Sequence, residues 1–207
     1  MILGIIGLIN SGKSTVANIL VEEHNFIKVS FADSLKDAVA AIFGWPRDLL
    51  QGDTEESRIW REQPDEYWSN VMGHPVTPRW VLQHIGTDVM REHFHKSIWV
   101  HSLMKKLNEP NKNYVISDVR FLNEVDVILL QQGQIWEVQR PPMPDWYNIP
   151  FEDYNDLARH MDIYYPKVHK SEWDWRLVKR NTVLLNDGSL ESLRDKIKKI
   201  LSTNIMV

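Results

Sequence analysis

The chain has 207 residues, 43% hydrophobic and 25% charged, the make-up of one generous globular domain and not of a disordered segment or a fibre. Lys and Arg number 24 against 28 Asp and Glu, a formal net charge of -4, so no global positive field exists to hold DNA, RNA or an anionic bilayer, and any grip on a polyanion must be local. The absence of cysteine excludes disulfides, thiolate nucleophiles and Cys-ligated metal centres and fits a reducing compartment. The apolar start Met1 to Gly7 is too short to span a bilayer, so the chain reads as cytoplasmic.

In chain order, the buried-strand run Ile2 to Gly7 leads through Leu8-Ile9-Asn10-Ser11-Gly12 into an amphipathic helix from Lys13 to about Glu23, with Val16, Ala17, Ile19 and Leu20 at helical spacing. A second strand, Phe26 to Ser30, precedes a helix over Ser34 to Phe43. From Gly44 to Val76 the periodicity fades among Pro46, Gly52, Pro64, Gly73 and Pro75, and an irregular flap is expected there. Thr77-Pro78 opens a helix reaching about Phe94 through Gly86; a further helix, Ile98 to Leu107, ends near Asn108-Glu109-Pro110. Tyr114 to Ser117 is a strand finishing in Asp118, and Asn123 to Gln132 a helix closed by Gly133. Gln134 to Gln139 and Thr182 to Leu185 are strands, Pro141 to Lys179 is irregular and aromatic, and a last helix runs from about Ser189 to Leu201. Strands alternating with helices predict an α/β fold of about five mostly parallel strands covered on both faces, with ligand sites beyond the strands' C-terminal ends.

Gly7-Leu8-Ile9-Asn10-Ser11-Gly12-Lys13-Ser14 fits G-x-x-x-x-G-K-[ST], and it lies between a buried strand and a helix, the context that gives the motif meaning. A polyphosphate needs several backbone N–H donors converging on its oxygens and the positive end of a helix. Lys13 would reach the β and γ phosphates of ATP, and the Ser14 hydroxyl would ligate Mg²⁺. Asp118 stands where a Walker B acid would lie, holding magnesium directly or through water, and Arg120 follows it by two residues. Asp118-Val119-Arg120-Phe121 lacks the glycine of a GTPase switch, and no Asn-Lys-x-Asp is present. Arginines instead gather in or beside the two irregular segments: Arg58, Arg61 and Arg79 by the first, Arg140, Arg159, Arg176 and Arg180 around the second. That distribution points to phosphoryl transfer onto an anionic acceptor, with Arg79 and Arg120 at the acceptor phosphate and moving phosphoryl group and Arg140 and Arg176 over ATP.

The blocks Ser11 to Thr15, Phe31-Ala32-Asp33-Ser34-Leu35-Lys36-Asp37-Ala38, Arg79 with Gln83-His84-Ile85-Gly86-Thr87-Asp88, Trp99, Asp118-Val119-Arg120 with Asn123-Glu124, Arg140-Pro141, His169-Lys170-Ser171-Glu172 and Asn186-Asp187-Gly188-Ser189-Leu190 together resemble the bacteriophage deoxynucleoside monophosphate kinases, within the nucleoside monophosphate kinase group of P-loop proteins. The resemblance spans most of the chain. It implies a P-loop NTPase-type three-layer fold and transfer of the ATP γ-phosphate to a 2′-deoxynucleoside 5′-monophosphate with Mg²⁺, in the host cytoplasm if the gene is a phage's. It implies one kinase domain over residues 1–207, with an acceptor-binding insertion at 44–76 and a lid-like insertion at 141–180. Asn10, Ser11, Gly12, Lys13, Ser14, Thr15 and Arg140 would bind ATP, with Lys13, Arg79 and Arg120 catalytic and Ser14 and Asp118 on the metal. Lys36, Arg58, Arg79, Gly86, Thr87, Trp99, Asp118, Arg120 and Glu124 would surround the acceptor, with Arg61 able to align in place of Arg58. The family pattern often carries an aspartate where Ser14 stands here. Expected partners are small nucleotides, neither nucleic acid nor membrane, and a symmetric dimer is compatible with the likeness. Two alternatives stay open at this point: a P-loop kinase for another acceptor such as dephospho-coenzyme A, and a nucleotide-switched binding module.

Overall fold

A computed structural model describes residues 1–107 and 112–204. The elements in order are β1 (Ile2–Ile6), α1 (Lys13–His24), β2 (Phe26–Val29), α2 (Asp33–Phe43), α3 (Arg47–Gln51), α4 (Glu55–Glu62), α5 (Glu66–Met72), α6 (Pro78–Gln83), a π-helix (His84–Phe94), α7 (Ile98–Lys106), β3 (Asn113–Ile116), α8 (Leu122–Leu130), β4 (Gln134–Gln139), a 3₁₀ turn (Asp145–Asn148), α9 (Tyr154–Tyr164), a second 3₁₀ turn (Lys170–Glu172), β5 (Thr182–Leu185) and α10 (Leu190–Asn204). The expected helix stop at Asn108-Glu109-Pro110 lies outside the described residues. The fold divides into two compact units, Met1–Val29 with Glu109–Val207, and Ser30–Asn108.

The first unit holds a five-stranded sheet in the order β2-β3-β1-β4-β5, every pairing parallel. This is the α/β architecture that the alternation of strands and helices predicts. Successive residues of β1 face opposite sides of the sheet. Leu3 and Ile5 join Val16, Ala17 and Leu20 of α1 and Leu193 and Ile197 of α10 in one buried cluster. On the other side a Cβ at Gly4 would stand 2.7 Å from Ile128 of α8, so α8 packs directly on the β1 backbone. Both faces are thereby covered, and the β1–α1 loop is left at the sheet's C-terminal edge beside the ends of β3 and β4.

The second unit is helical, with a core that includes Leu35, Val39, Trp45, Leu50, Val76, Val81, Trp99, Val100 and Leu103. The expectation of an irregular flap at 44–76 is overturned: α3, α4 and α5 occupy most of it. They run only 5 to 8 residues, too short to display a period, and a side-chain cap marks the start of α4 and α5 but not of α3. The Thr54 hydroxyl accepts the Ser57 N–H, and the Asp65 carboxylate accepts the Trp68 N–H. The helix expected over Thr77 to Phe94 is an α-helix as far as Gln83 and a π-helix beyond it. A change from i+4 to i+5 pairing leaves no mark on hydrophobic spacing.

Two further expectations are corrected in the first unit. The irregular stretch after Pro141 contains the eleven-residue α9, capped by Asp153 onto the Asp156 N–H; only Leu157 and Met161 of that helix are buried, too sparse a stripe to read as a period. At the end of α8 the left-handed residue is Gln132, φ 57°, and not Gly133. A Cβ at Gly133 would lie 2.7 Å from the Ile2 carbonyl, so the glycine serves close approach to β1.

Candidate active site

The β1–α1 loop is built from backbone that side chains resist. Gly7 has φ 144° and a Cβ there would strike the Val138 carbonyl of β4; Gly12 has φ 104° and a Cβ would strike the Asn186 side chain. Asn10 sits between them at φ 62° with its side chain exposed. The Asn186 amide donates to the Ser11 carbonyl at 2.9 Å and so ties the loop to the segment after β5. The N-cap of α1 is Gly12, which has no side chain to cap the helix, and the positive end of that helix favours an anion. Ser11 is buried, and its hydroxyl has no hydrogen-bond partner among the described residues. An orphaned donor inside such a loop fits a phosphate oxygen.

Lys13 folds back into the loop, Nζ donating to the Gly7 and Leu8 carbonyls at 2.7 Å each. Burial, joined by the Arg120 guanidinium and opposed by the Glu172 carboxylate, lowers its pKa to about 8. Ser14 and Thr15 follow in the first turn of α1, both exposed. Asp118 lies two residues past the end of β3, the strand paired with β1, and is partly buried. Hydroxyl and carboxylate oxygens are hard donors that suit Mg²⁺. Among the described residues no group of three or more His, Asp or Glu could hold a metal unaided, so phosphate oxygens and water would complete its shell.

Arg120 is held from several directions. Its N–H donates to Glu124 Oε2 at 2.8 Å, as does the Phe121 N–H at 3.2 Å, while its guanidinium reaches Ser171 Oγ at 3.2 Å and Glu172 Oε1 at 3.1 Å. Glu124, expected at the acceptor, is 2% exposed and spends this oxygen on the turn that carries Arg120. A cavity of about 470 Å³ opens against the loop, lined by Leu8 to Ser11, Arg140, Pro141, Trp146, Val168 and Glu172 among others. Arg140 thus shares that cavity with the glycine loop. Arg176 lies over the Tyr147 ring at 4.6 Å and donates from Nε to the Tyr147 carbonyl at 2.8 Å, holding up the wall behind Trp146.

The second unit carries Lys36, Arg58, Arg61 and Arg79, whereas Arg159 and Arg180 lie in the first. Arg61 is half-buried, and its pKa is lowered by burial first and then by the Arg79 and Arg58 guanidiniums, with Glu62 and Asp53 opposing, so the three arginines form one cluster. Arg79 pairs with Glu62, whereas Arg58 donates to the Gly52 and Asp53 carbonyls at 3.3 and 3.2 Å. Lys36 is buried, with Nζ on Gln51 Oε1 at 3.1 Å. Trp99 is 7% exposed and donates from Nε1 to the Gly86 carbonyl at 2.9 Å, and a Cβ at Gly86 would fall 2.7 Å from the tip of the Leu35 side chain, which would have to shift; Thr87 beside it is exposed. The residues missed as site members are Glu172 and Asn186. Both lie in blocks quoted for the family resemblance, but nothing in their local sequence tells that they fold back onto the loop.

A strand–glycine loop–helix with an internal lysine, an acid after the neighbouring strand and an arginine beside both defines a P-loop phosphotransferase. The family described as deoxynucleotide monophosphate kinase matches residues 48–144. A protein of Acanthamoeba polyphaga mimivirus named as a deoxynucleotide monophosphate kinase is 32% identical over 212 residues, covering 95% of this chain and 94% of the viral protein. The chain belongs to the deoxynucleotide monophosphate kinase family, a kinase whose substrates are small-molecule nucleotides. Among solved structures it is similar to TT1252 from Thermus thermophilus (19% identity, 98% and 97% of the two chains covered, TM-score 0.44) and to shikimate kinase from Aquifex aeolicus (12%, 100% and 99%, 0.45), likenesses too slight to carry weight. No helix of the described residues is long and apolar enough to cross a membrane.

Proposed function

We propose that the β1–α1 loop cradles the polyphosphate of ATP and that its γ-phosphoryl group passes to the 5′-phosphate of a deoxynucleoside monophosphate, giving a dNDP and ADP. The observation that carries this reading is the loop itself: an orphaned Ser11 hydroxyl, an uncapped helix start and a Lys13 ammonium turned inward, all beside a cavity faced by Arg140. Asn10, Ser11, Gly12, Lys13 and Thr15 bind phosphate, and Arg140 lies along the donor. Ser14 and Asp118 would hold Mg²⁺, which when bound neutralises charge on the phosphate oxygens. Arg120 meets the charge that develops on the moving phosphoryl group, and a loose transition state asks little more of a kinase than such positioning and neutralisation.

In the second unit, Arg79 and Arg61 are the acceptor-phosphate cations, with Arg58 fixing the Gly52–Asp53 turn beside them. Lys36, Gly86 and Thr87 face the nucleoside, and Trp99 shapes that wall by holding the Gly86 carbonyl. Coupled ADP release from ATP and a panel of dNMPs, NMPs and dephospho-coenzyme A tests the reading. Turnover stimulated by at least one dNMP is expected. Stimulation only by another acceptor would overturn the substrate, and ATP binding without acceptor-dependent ADP would overturn the transfer.

A further inference from the structure

We propose that Glu172 is a positioning residue for phosphoryl transfer: its carboxylate binds the Arg120 guanidinium to the Ile9 amide of the glycine loop, so that the cation and the phosphate cradle are set as one piece. Oε1 lies 3.1 Å from the Arg120 guanidinium and Oε2 accepts the Ile9 N–H at 2.9 Å. Ile9 is 69% exposed, so packing does not fix the loop tip; the bond to Glu172 holds its amide, beside the Lys13 and Asn186 bonds to the neighbouring Gly7, Leu8 and Ser11 carbonyls. The Arg120 side chain is 43% exposed, on a long stem with many rotamers to choose from. Its backbone, by contrast, is secured without Glu172: Glu124 holds the Arg120 and Phe121 N–H groups, and Asp174 Oδ2 accepts the Leu122 N–H at 3.0 Å.

Three consecutive residues thus have their main chain fixed by two buried carboxylates, and the one thing left to aim is the guanidinium. Glu172 supplies that aim, with Ser171 Oγ at 3.2 Å as a neutral second contact. The bond to Ile9 adds what an ordinary ion pair lacks, a fixed distance between the arginine and the loop that would hold the donor. Misplacing such a group by an ångström is enough to slow transfer by ~10²-fold.

This inference rests on the reading that Arg120 acts on the moving phosphoryl group. The test is a double-mutant cycle over Glu172→Gln and Arg120→Ala, with kcat and KM for ATP and dNMP measured in each and the thermal midpoint taken beside them. Glu172→Gln preserves shape and leaves an oxygen for the Ile9 N–H while removing the charge that aims Arg120. We expect kcat to fall ~10-fold with both KM values within ~3-fold, and the substitution to cost nothing further once Arg120 is alanine. If Arg120→Ala leaves kcat intact, the reading of Arg120 itself fails. If Arg120→Ala is impaired but Glu172→Gln is fully active, or its loss is undiminished in the Arg120→Ala background, the positioning role fails. A KM for ATP that drops ~10-fold at unchanged kcat would instead make Glu172 a competitor of phosphate for the loop, and would overturn the proposal. Should Glu172→Gln unfold, Glu172→Asp, which shortens the reach to Arg120, gives the same cycle.

Discussion

Asn186 occupies the space that a side chain on Gly12 would need, its amide nitrogen donating to the Ser11 carbonyl at 2.9 Å. Gly12→Ala therefore suffers twice, from φ 104° and from a clash with Asn186. The strained backbone costs ~1–3 kcal/mol, which predicts a KM for ATP raised ~10-fold or more. Adding Asn186→Gly to Gly12→Ala should recover part of the loss and never all of it, because the backbone strain remains. Steady-state kinetics of the three variants check this.

Lys13 binds its proton more weakly in the folded chain than in the unfolded one, with a folded pKa of about 8 against 10.5. Across that window the unfolded chain holds a proton that the folded chain has shed, so this group's contribution to stability rises with pH from about 8 upward. The thermal midpoint of the native enzyme relative to Lys13→Met should climb between pH 8 and pH 10. ATP brings negative charge to the ammonium and raises its pKa. Calorimetry at pH 8.5 in two buffers of different ionisation enthalpy should then show uptake of a fraction of a proton, and Lys13→Met should lose it together with at least ~10²-fold in kcat.

Glu137 is 1% exposed on β4, accepts from the Tyr147 hydroxyl and pairs with Arg180. Removing Arg180 strands a fully buried carboxylate, at ~3–5 kcal/mol, whereas removing Glu137 leaves a guanidinium 21% exposed that water partly reaches, at a lower cost. Arg180→Leu should lower the thermal midpoint by many degrees and Glu137→Leu by fewer, and the double variant should lose much less than the two together. Differential scanning calorimetry settles the comparison.

Arg61 is more deeply desolvated than Arg58 and lies beside Arg79, whereas Arg58 is spent on carbonyls of its own turn. Arg61→Ala and Arg79→Ala should raise the KM for dNMP ~10- to 100-fold, as expected for loss of a charge-assisted bond to phosphate, with the KM for ATP nearly unchanged. Arg58→Ala should have the smaller effect. The reverse ranking would return the acceptor phosphate to Arg58.

The sequence by itself determined the elements that repeat a period or carry a fixed motif. β1, the glycine loop and α1 were readable because a buried strand, a phosphate cradle and an amphipathic helix each impose local rules on consecutive residues, and the five parallel strands followed from their alternation with helices. Helices α3 to α5 and α9 were not readable by period, since elements of one to three turns, or with two buried residues, show no stripe.

Only the tertiary structure decided which side chains meet. Glu172 stands 163 residues from Ile9, and Asn186 stands 175 from Ser11. No local pattern couples positions so far apart, because such pairs are chosen by how β4, β5 and the segments after them fold over the loop. Glu124 is the opposite case, a local helix-start contact onto the Phe121 and Arg120 N–H groups three and four residues before it, and only its depth came from the tertiary structure. Burial to 2% spends it on backbone N–H groups, since a buried charge must find its donors where it lies.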